Sequence, residues 1–531
     1  MIFCFLTFSY DFVTQNSNYW THPFGDRITN MIGLEYFIKE DWSFPIFNIK
    51  SMAYPNGANL FYTDSIPMLG IIAKLLFQFT GIKFSYFGIW ICSSFIILAI
   101  SIAQLANKLY LPLIATAFAV IISIFNPALL VRYGHSALLA HFIIIFALIF
   151  YFSYRNRPIS LSVFFNLFFI LLISILIQSY FLLMVYPIIF ATFLQLWKKN
   201  FITIKTVFLI FLFSLLTIFI IAFCSGIILN GEKISKAWGF GVYSMNALSP
   251  FLPSAKYLPN FLVEIVNWDG NRLTWDQTSG QYEGYNYLGI GLIFSIVMSL
   301  RGYKFYFELI KNNIFLFFSF SFLLIYALSS NIYIGSLKLD INLLYKPFSF
   351  LTDIFRVSGR YFWPIYYAIL FASATVIFKT YTKKIGILIL LSASLFQILE
   401  NNYLREGIVN AGYYKYPQLL DEKKVSDLLE KKNLFLQYPS FQCGGLFSKW
   451  PENNLNMELL FIVAKKHIPT NSAYLARSNI DCEKERNNLS LMKFFDGSTL
   501  YLFNNEYYAL VDISNKANKC HKVSYGYYCS N

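Results

Sequence analysis

Charge is scarcest in this chain where it would matter most. About ten apolar stretches cross residues 84–400, and none holds an Asp, Glu, Lys or Arg in its middle. A proton- or ion-coupled transporter places acids or bases at mid-depth, so this chain is expected to do its chemistry at one face of a membrane. Also missing are a P-loop, a GxSxG elbow, an HExxH pair, a CxxC pair and any internal repeat, which removes the commonest motif-borne activities. Charged residues make up 13% of the 531, about half the share of a soluble globular chain. What fills the space is apolar: 57% hydrophobic and 20% aromatic residues. That is the composition of a polytopic membrane protein.

Spans of about 16–25 residues, the length a bilayer demands, are expected at 84–106, 110–126, 136–153, 160–176, 179–197, 203–228, 285–300, 313–330, 361–378 and 384–400. Residues 1–15 make a weaker eleventh, interrupted by Asp11 and too short at about 1.5 Å per residue for a core of roughly 30 Å. They lack the basic start and small-residue cleavage site of a signal peptide, and read as a truncated or misassigned first helix. Lys108, Arg155 with Arg157, Lys198 with Lys199, Arg301 with Lys304 and Lys311, and Lys379 with Lys383 and Lys384 fall in alternate loops. The positive-inside rule puts these in the cytoplasm. It also explains much of the net charge of +14 without a nucleic-acid partner.

The loops 16–83, 127–135, 229–284 and 331–360, and everything after residue 400, then face outward. The expected fold is an all-α polytopic bundle over 1–400 with about eleven transmembrane helices and a cytoplasmic N-terminus. A small extracytoplasmic α/β domain follows over 401–531, with a helix at DEKKVSDLLEKKN and strands at NLFLQYPS and STLYLFNNEYYALVDIS. Cys4, Cys92 and Cys224 lie in apolar segments, whereas Cys443, Cys482, Cys520 and Cys529 fall in the polar tail. Four cysteines in an outward domain allow three pairings, of which proximity favours Cys443–Cys482 and Cys520–Cys529 over free thiols.

The outward loops hold the candidate chemistry. Residues 27–40 have the pattern of a helix lying in the interface, with Glu35 at a solvated position, and Ser65-Ile66-Pro67 opens a second apolar helix. Asp26 follows Pro23 and Gly25. It is either a base for a substrate hydroxyl or the cap of a helix starting at Arg27, and Asp64 carries the same two readings. Arg132 and His135 stand at an outer mouth, where Arg132 either clamps a phosphate or anchors to lipid head groups. His141, inside a span, is expected to face the bundle interior. Trp268-Asp269, Trp275-Asp276 and Gln281-Tyr282-Glu283-Gly284 interleave rings with acids and amides. That suits a sugar, while an aromatic belt explains the rings alone. Arg356 and Arg360 are four apart and share a face if helical. They hold a lipid-linked phosphate or snorkel to head groups.

An early acid (Gly25-Asp26-Arg27), then interfacial helices, a many-spanned body and an outward tail together resemble the GT-C superfamily, membrane glycosyltransferases that use polyprenyl-phosphate sugars. Several stretches are more closely similar to a bacterial family described as domain of unknown function six-three-one-one, over about residues 20–400. These are Tyr62-Thr63-Asp64-Ser65-Ile66-Pro67, Arg132-Tyr133-Gly134-His135, Tyr243-Ser244-Met245-Asn246, Gly280-Gln281-Tyr282-Glu283-Gly284-Tyr285-Asn286-Tyr287-Leu288-Gly289 and Phe355-Arg356-Val357-Ser358-Gly359-Arg360-Tyr361-Phe362-Trp363-Pro364.

The resemblance implies a GT-C-like enzyme of the bacterial inner membrane. It would move sugar from a polyprenyl-phosphate donor to a glycan, lipid or protein acceptor at the outer face. Asp26 would be base or metal ligand, Asp64 or Glu283 the second acid, and Arg356 or Arg360 the phosphate holder. The first span is short and the DxD or DE signature of many members is absent, so a divalent metal is left open. The alternatives are a non-catalytic protein of glycan assembly (flippase, polymerase partner or scaffold) and, third, a coupled transporter.

Overall fold

A computed structural model describes residues 1–23, 25–228, 239–253, 277–445, 453–477, 480–490, 496–511 and 519–530. Trp268-Asp269 and Trp275-Asp276 lie outside these. Among the described residues, eight helices are long and apolar enough to cross a membrane: Phe87–Lys108, Leu113–Leu130, Ser136–Tyr154, Tyr180–Lys198, Ile204–Ser225, Ile290–Asn312, Ser358–Thr380 and Lys383–Tyr413. Their buried faces merge into one large core in which Leu98, Ile102, Ile143, Val185, Tyr367 and Leu390 are shut off from solvent. The chain is membrane-embedded and helix-rich.

Three further apolar helices are shorter, Pro67–Thr80, Leu161–Ile177 and Ile314–Leu328. The first is the helix expected to open at Ser65-Ile66-Pro67, with Pro67 in its first turn. The other two fall on the expected spans 160–176 and 313–330. Their 17 and 15 residues reach about 25 and 22 Å, less than a full hydrocarbon core. Residues 1–15 form two helices, Ile2–Thr7 and Tyr10–Thr14. The chain breaks between them because Ser9 caps the second, its Oγ accepting from the Phe12 N–H at 3.2 Å. Lys383–Tyr413 instead overruns the expected end at 400. Glu400 does not end the helix because its carboxylate is taken up laterally by the Tyr287 hydroxyl at 2.7 Å and the Ile290 N–H at 2.6 Å.

The C-terminal region carries a small mixed sheet. Leu434–Tyr438 runs parallel to Thr499–Phe503, which pairs antiparallel with Gly526–Ser530, and that strand pairs with Lys519–Val523. The expected helix is Glu422–Leu428, capped by the Asp421 side chain. The second expected strand stops at Phe503, where Asn504 caps a short helix over Asn505–Tyr508. Cys443 is bonded to Cys482 and Cys520 to Cys529.

One helix of this region, Asn453–Lys466, packs on Asp26–Lys39, with Met457, Leu460 and Phe461 beside Ile28, Ile32 and Tyr36 in a second core. The helix read as interfacial therefore has little bare surface: Ile28, Thr29, Asn30, Ile32, Gly33, Leu34, Tyr36, Phe37 and Ile38 are all buried. Glu35 is likewise paired rather than solvated, with Lys83 at 2.8 Å and Lys39 at 3.7 Å.

Candidate active site

The helix Asp26–Lys39 starts at Asp26, with Gly25 in the capping position at φ 71° and no side-chain cap. The Asp26 carboxylate is therefore free of the capping role open to it from sequence, and a negative charge in the first turn suits the helix dipole. One turn on, Asn30 orients its amide NH2 toward the carbonyl oxygens of Asp26 at 2.9 Å, Thr63 at 3.0 Å and Asp64 at 3.2 Å. This ties the second acid to the first. Gly33, on the next turn, allows the contact: a Cβ there would stand 2.2 Å from Thr63 Oγ1. Asp64 closes the 3₁₀ turn Leu60–Thr63 in the left-handed region at φ 59°, a conformation Asp tolerates better than most residues. It does not cap Pro67–Thr80, whose capping position is Ile66.

His135 sits between the two acids. Its Nδ1 is 2.8 Å from Asp26 Oδ2 and 3.7 Å from Asp64 Oδ2, and all three side chains are a little over a quarter exposed. Gln178 Nε2 donates to Asp64 Oδ1 at 3.3 Å. Burial opposes the His135 charge, but the hydrogen bonds to Asp26 and Asp64 outweigh it and push the imidazole up to about 9. Burial likewise opposes ionisation of Asp26, yet the hydrogen bond and charge of His135 hold its carboxyl below the usual range. At neutral pH the site contains a carboxylate–imidazolium pair of Asp26 and His135, with Asp64 beside it.

One ligand atom from each of Asp26, Asp64 and His135 lies within 4.8 Å of the others. Two carboxylate oxygens and one imidazole nitrogen fit a divalent cation such as Mn²⁺ or Mg²⁺. Nδ1 must first lose its proton.

Below this pair, Glu283 is gripped by two guanidiniums. Arg132 Nη1 is 2.7 Å from Oε2, while Arg360 reaches the same oxygen through Nη2 at 3.0 Å and Nε at 3.1 Å. Arg132 also donates to the carbonyls of Tyr282 at 3.2 Å and Glu283 at 2.9 Å, and Arg360 lies 5.0 Å from the Tyr180 ring. Burial alone would raise the Glu283 carboxyl, but the two arginines overcome it and hold it at about 2. Arg132 and Arg360, expected at a phosphate, and Glu283, expected as a second acid, are therefore buried and paired with one another.

Arg356 and Arg360 do not share a helical face either. Ser349–Ile354 ends before Arg356, and a 3₁₀ turn restarts at Ser358. Gly359 there lies so close to Gly284 that a Cβ would meet its Cα at 2.4 Å. Arg356 turns away to the Ala476 carbonyl at 3.5 Å. Tyr282 remains exposed, 42% accessible and edge-on to Tyr243. His141 is buried in the bundle, its Nδ1 2.9 Å from the Tyr367 hydroxyl.

Sequence reasoning missed what comes from the tail. The segment from Thr470 onward lies along the loops 16–83 and 331–360: Thr470 N–H donates to Ser51 O at 2.9 Å, and Ala476 N–H to Tyr62 O at 2.8 Å. Arg477 donates to the carbonyls of Asp353 at 2.9 Å and Ile354 at 3.1 Å. Between these anchors stands Tyr474, 39% exposed. Burial first, then Asp26, Asp64, Tyr282 and Tyr243, push its hydroxyl up to about 12, so it shares one electrostatic environment with both acids. Nothing local in the sequence marks it, since the two acids lie more than 400 residues earlier. Asn30 had a signal, four residues past Asp26 and therefore on its face.

No curated protein matches the chain. A family model described as a domain of unknown function matches residues 1–402, which contain every site residue above except those of the tail, and the chain belongs to that family, DUF6311.

Proposed function

We propose that this protein is a GT-C-type glycosyltransferase with about eleven spans: the eight long helices, the shorter Leu161–Ile177 and Ile314–Leu328, and the segment 1–15. Its donor is a polyprenyl-phosphate sugar and its acceptor a glycan, lipid or protein hydroxyl at the outer face of a bacterial inner membrane. The observation that carries this reading is the Asp26 carboxylate, free of a capping role, kept ionised by His135 at 2.8 Å, and sharing its surroundings with the exposed ring of Tyr474, which in turn feels the exposed Tyr282. Those rings offer stacking surfaces to a sugar.

In the reaction the acceptor oxygen bonds to the sugar C1 as the C1–O(phosphate) bond breaks. The acceptor hydroxyl becomes acidic as that bond forms, so a carboxylate of low basicity is competent to take its proton. Polyprenyl phosphate leaves with the electron pair. Arg356, which donates to the Ala476 carbonyl, and Arg477 beside it would face the leaving phosphate. A divalent cation held by Asp26, Asp64 and His135 would add Lewis-acid stabilisation.

The test is transfer by the purified full-length protein from a panel of radiolabelled polyprenyl-phosphate sugars to membrane acceptors. Wild type should release polyprenyl phosphate. Asp26→Asn should fold normally and lose about 10²–10⁴-fold in rate, the usual contribution of a positioned acid–base group. A variant that transfers at the wild-type rate removes the base from the reading. The runner-up is a scaffold of glycan assembly, which tolerates that substitution.

A further inference from the structure

The far ends of the same helices carry a polar feature that the proposed reaction does not use. Ser136–Tyr154 begins next to His135 and ends at Arg155. Tyr180–Lys198 begins at the ring beside Arg360 and ends at Lys198 and Lys199. Each helix is roughly 28 Å long at about 1.5 Å per residue. Between their far ends and the helix Tyr303–Asn312 lies a cleft of about 450 Å³, whose lining, besides Asn312, is Arg155, Asn156, Gln195, Lys198, Lys199 and Lys311.

Four of these six are cations, no carboxylate lines the cleft, and none of the four is in an ion pair among the described residues. Desolvation, then the neighbouring Arg155 and Lys198, push Lys199 below the ordinary lysine range. Helix C-termini attract cations and cytoplasmic loops collect them. Neither effect accounts for what is orphaned here. Gln195 is 4% exposed and its Oε1 has no hydrogen-bond partner, and Arg155 Nε–H has none either, although Arg155 Nη1 donates to Asn313 Oδ1. Buried polar atoms are nearly always satisfied, and these two lie at a concave, cationic surface.

We infer that this cleft binds a phosphate-bearing group that also carries a hydroxyl. The lysines and Arg155 would surround the phosphate, and Gln195 Oε1 would accept from the hydroxyl. An anionic glycerophospholipid head group meets both demands, with its chains along the helices. Free phosphate meets the first.

The test is lipid retention by the full-length protein in native mass spectrometry, with phosphatidylglycerol and phosphatidylcholine of matched chains in competition. Millimolar inorganic phosphate forms a separate arm read by thermal stability. Wild type should retain phosphatidylglycerol over phosphatidylcholine by at least about tenfold, as several lysines near one anionic group give. Lys198→Gln with Lys199→Gln and Lys311→Gln should bring the ratio to parity, while Lys383→Gln with Lys384→Gln, outside the cleft, should leave it unchanged. Gln195→Leu, which alters no charge, should weaken retention roughly fivefold through loss of one hydrogen bond, and it carries the test if the triple variant fails to fold. Stabilisation by inorganic phosphate without lipid preference would keep the site and assign it to a free phosphate. Equal loss in both lysine variants, or no response to either ligand in wild type, would overturn the proposal.

Discussion

Asp26 and His135 set each other's charge. The His135 imidazole stands at about 9, above its ordinary value near 6.5, so its contribution to folding is full below about pH 6.5 and is lost as pH rises through 9. The Asp26 carboxyl is shifted the other way, so its contribution is present at neutral pH and lost only under acid. Thermal melts of wild type and His135→Gln across pH 6–10 should therefore differ most near pH 6 and converge by pH 10. A gap that widens with pH would mean that His135 is neutral in the folded protein. Glu283 shows the limit of reading charges one at a time. Arg132, Glu283 and Arg360 each look functional in sequence, and all three are consumed by one another.

At the scale of elements, the site depends on how closely one turn lies on one helix. Leu60–Thr63 rests on Asp26–Lys39 at Gly33, and this seats Asp64 beside Asp26. Gly33→Ala should destabilise the protein by about 1–3 kcal/mol, the range for overpacking. It should also cut transfer at least tenfold while the protein remains folded, as read by melts and activity together. Full activity would show that the spacing of the acids does not matter.

The helices themselves were legible in sequence because uninterrupted apolar runs leave the backbone no other way to satisfy itself in lipid. The capping alternatives for Asp26 and Asp64 were not, because they turn on Gly25 and Ile66 occupying the cap positions. Whether Arg356 and Arg360 share a helix face was not legible either, because Gly359 must pass Gly284 at contact distance, a constraint from residues 75 positions apart. Likewise the helix Asp26–Lys39 shows an apolar pattern in sequence but not that a helix from the tail would cover it.

At the scale of the whole molecule, the tail completes the site rather than standing apart from it. Thr470, Ala476 and Arg477 are bonded to the loops 16–83 and 331–360, and the Cys443–Cys482 bond closes around Tyr474. If these loops face outward, the tail disulfides sit in an oxidising compartment. After mild reduction of whole cells, a membrane-impermeant maleimide should then label the tail cysteines. Labelling only after permeabilisation would invert the topology and place the acids in the cytoplasm.

The central claim is that Asp26 acts on a surface glycan. It is tested most directly by complementing a deletion strain, shown first to have a glycan defect, with wild type or Asp26→Asn and comparing glycan profiles at equal protein level. Normal protein without restored glycan is the predicted result. Restoration of both would contradict the account, leaving Asp26 a structural residue at the head of its helix.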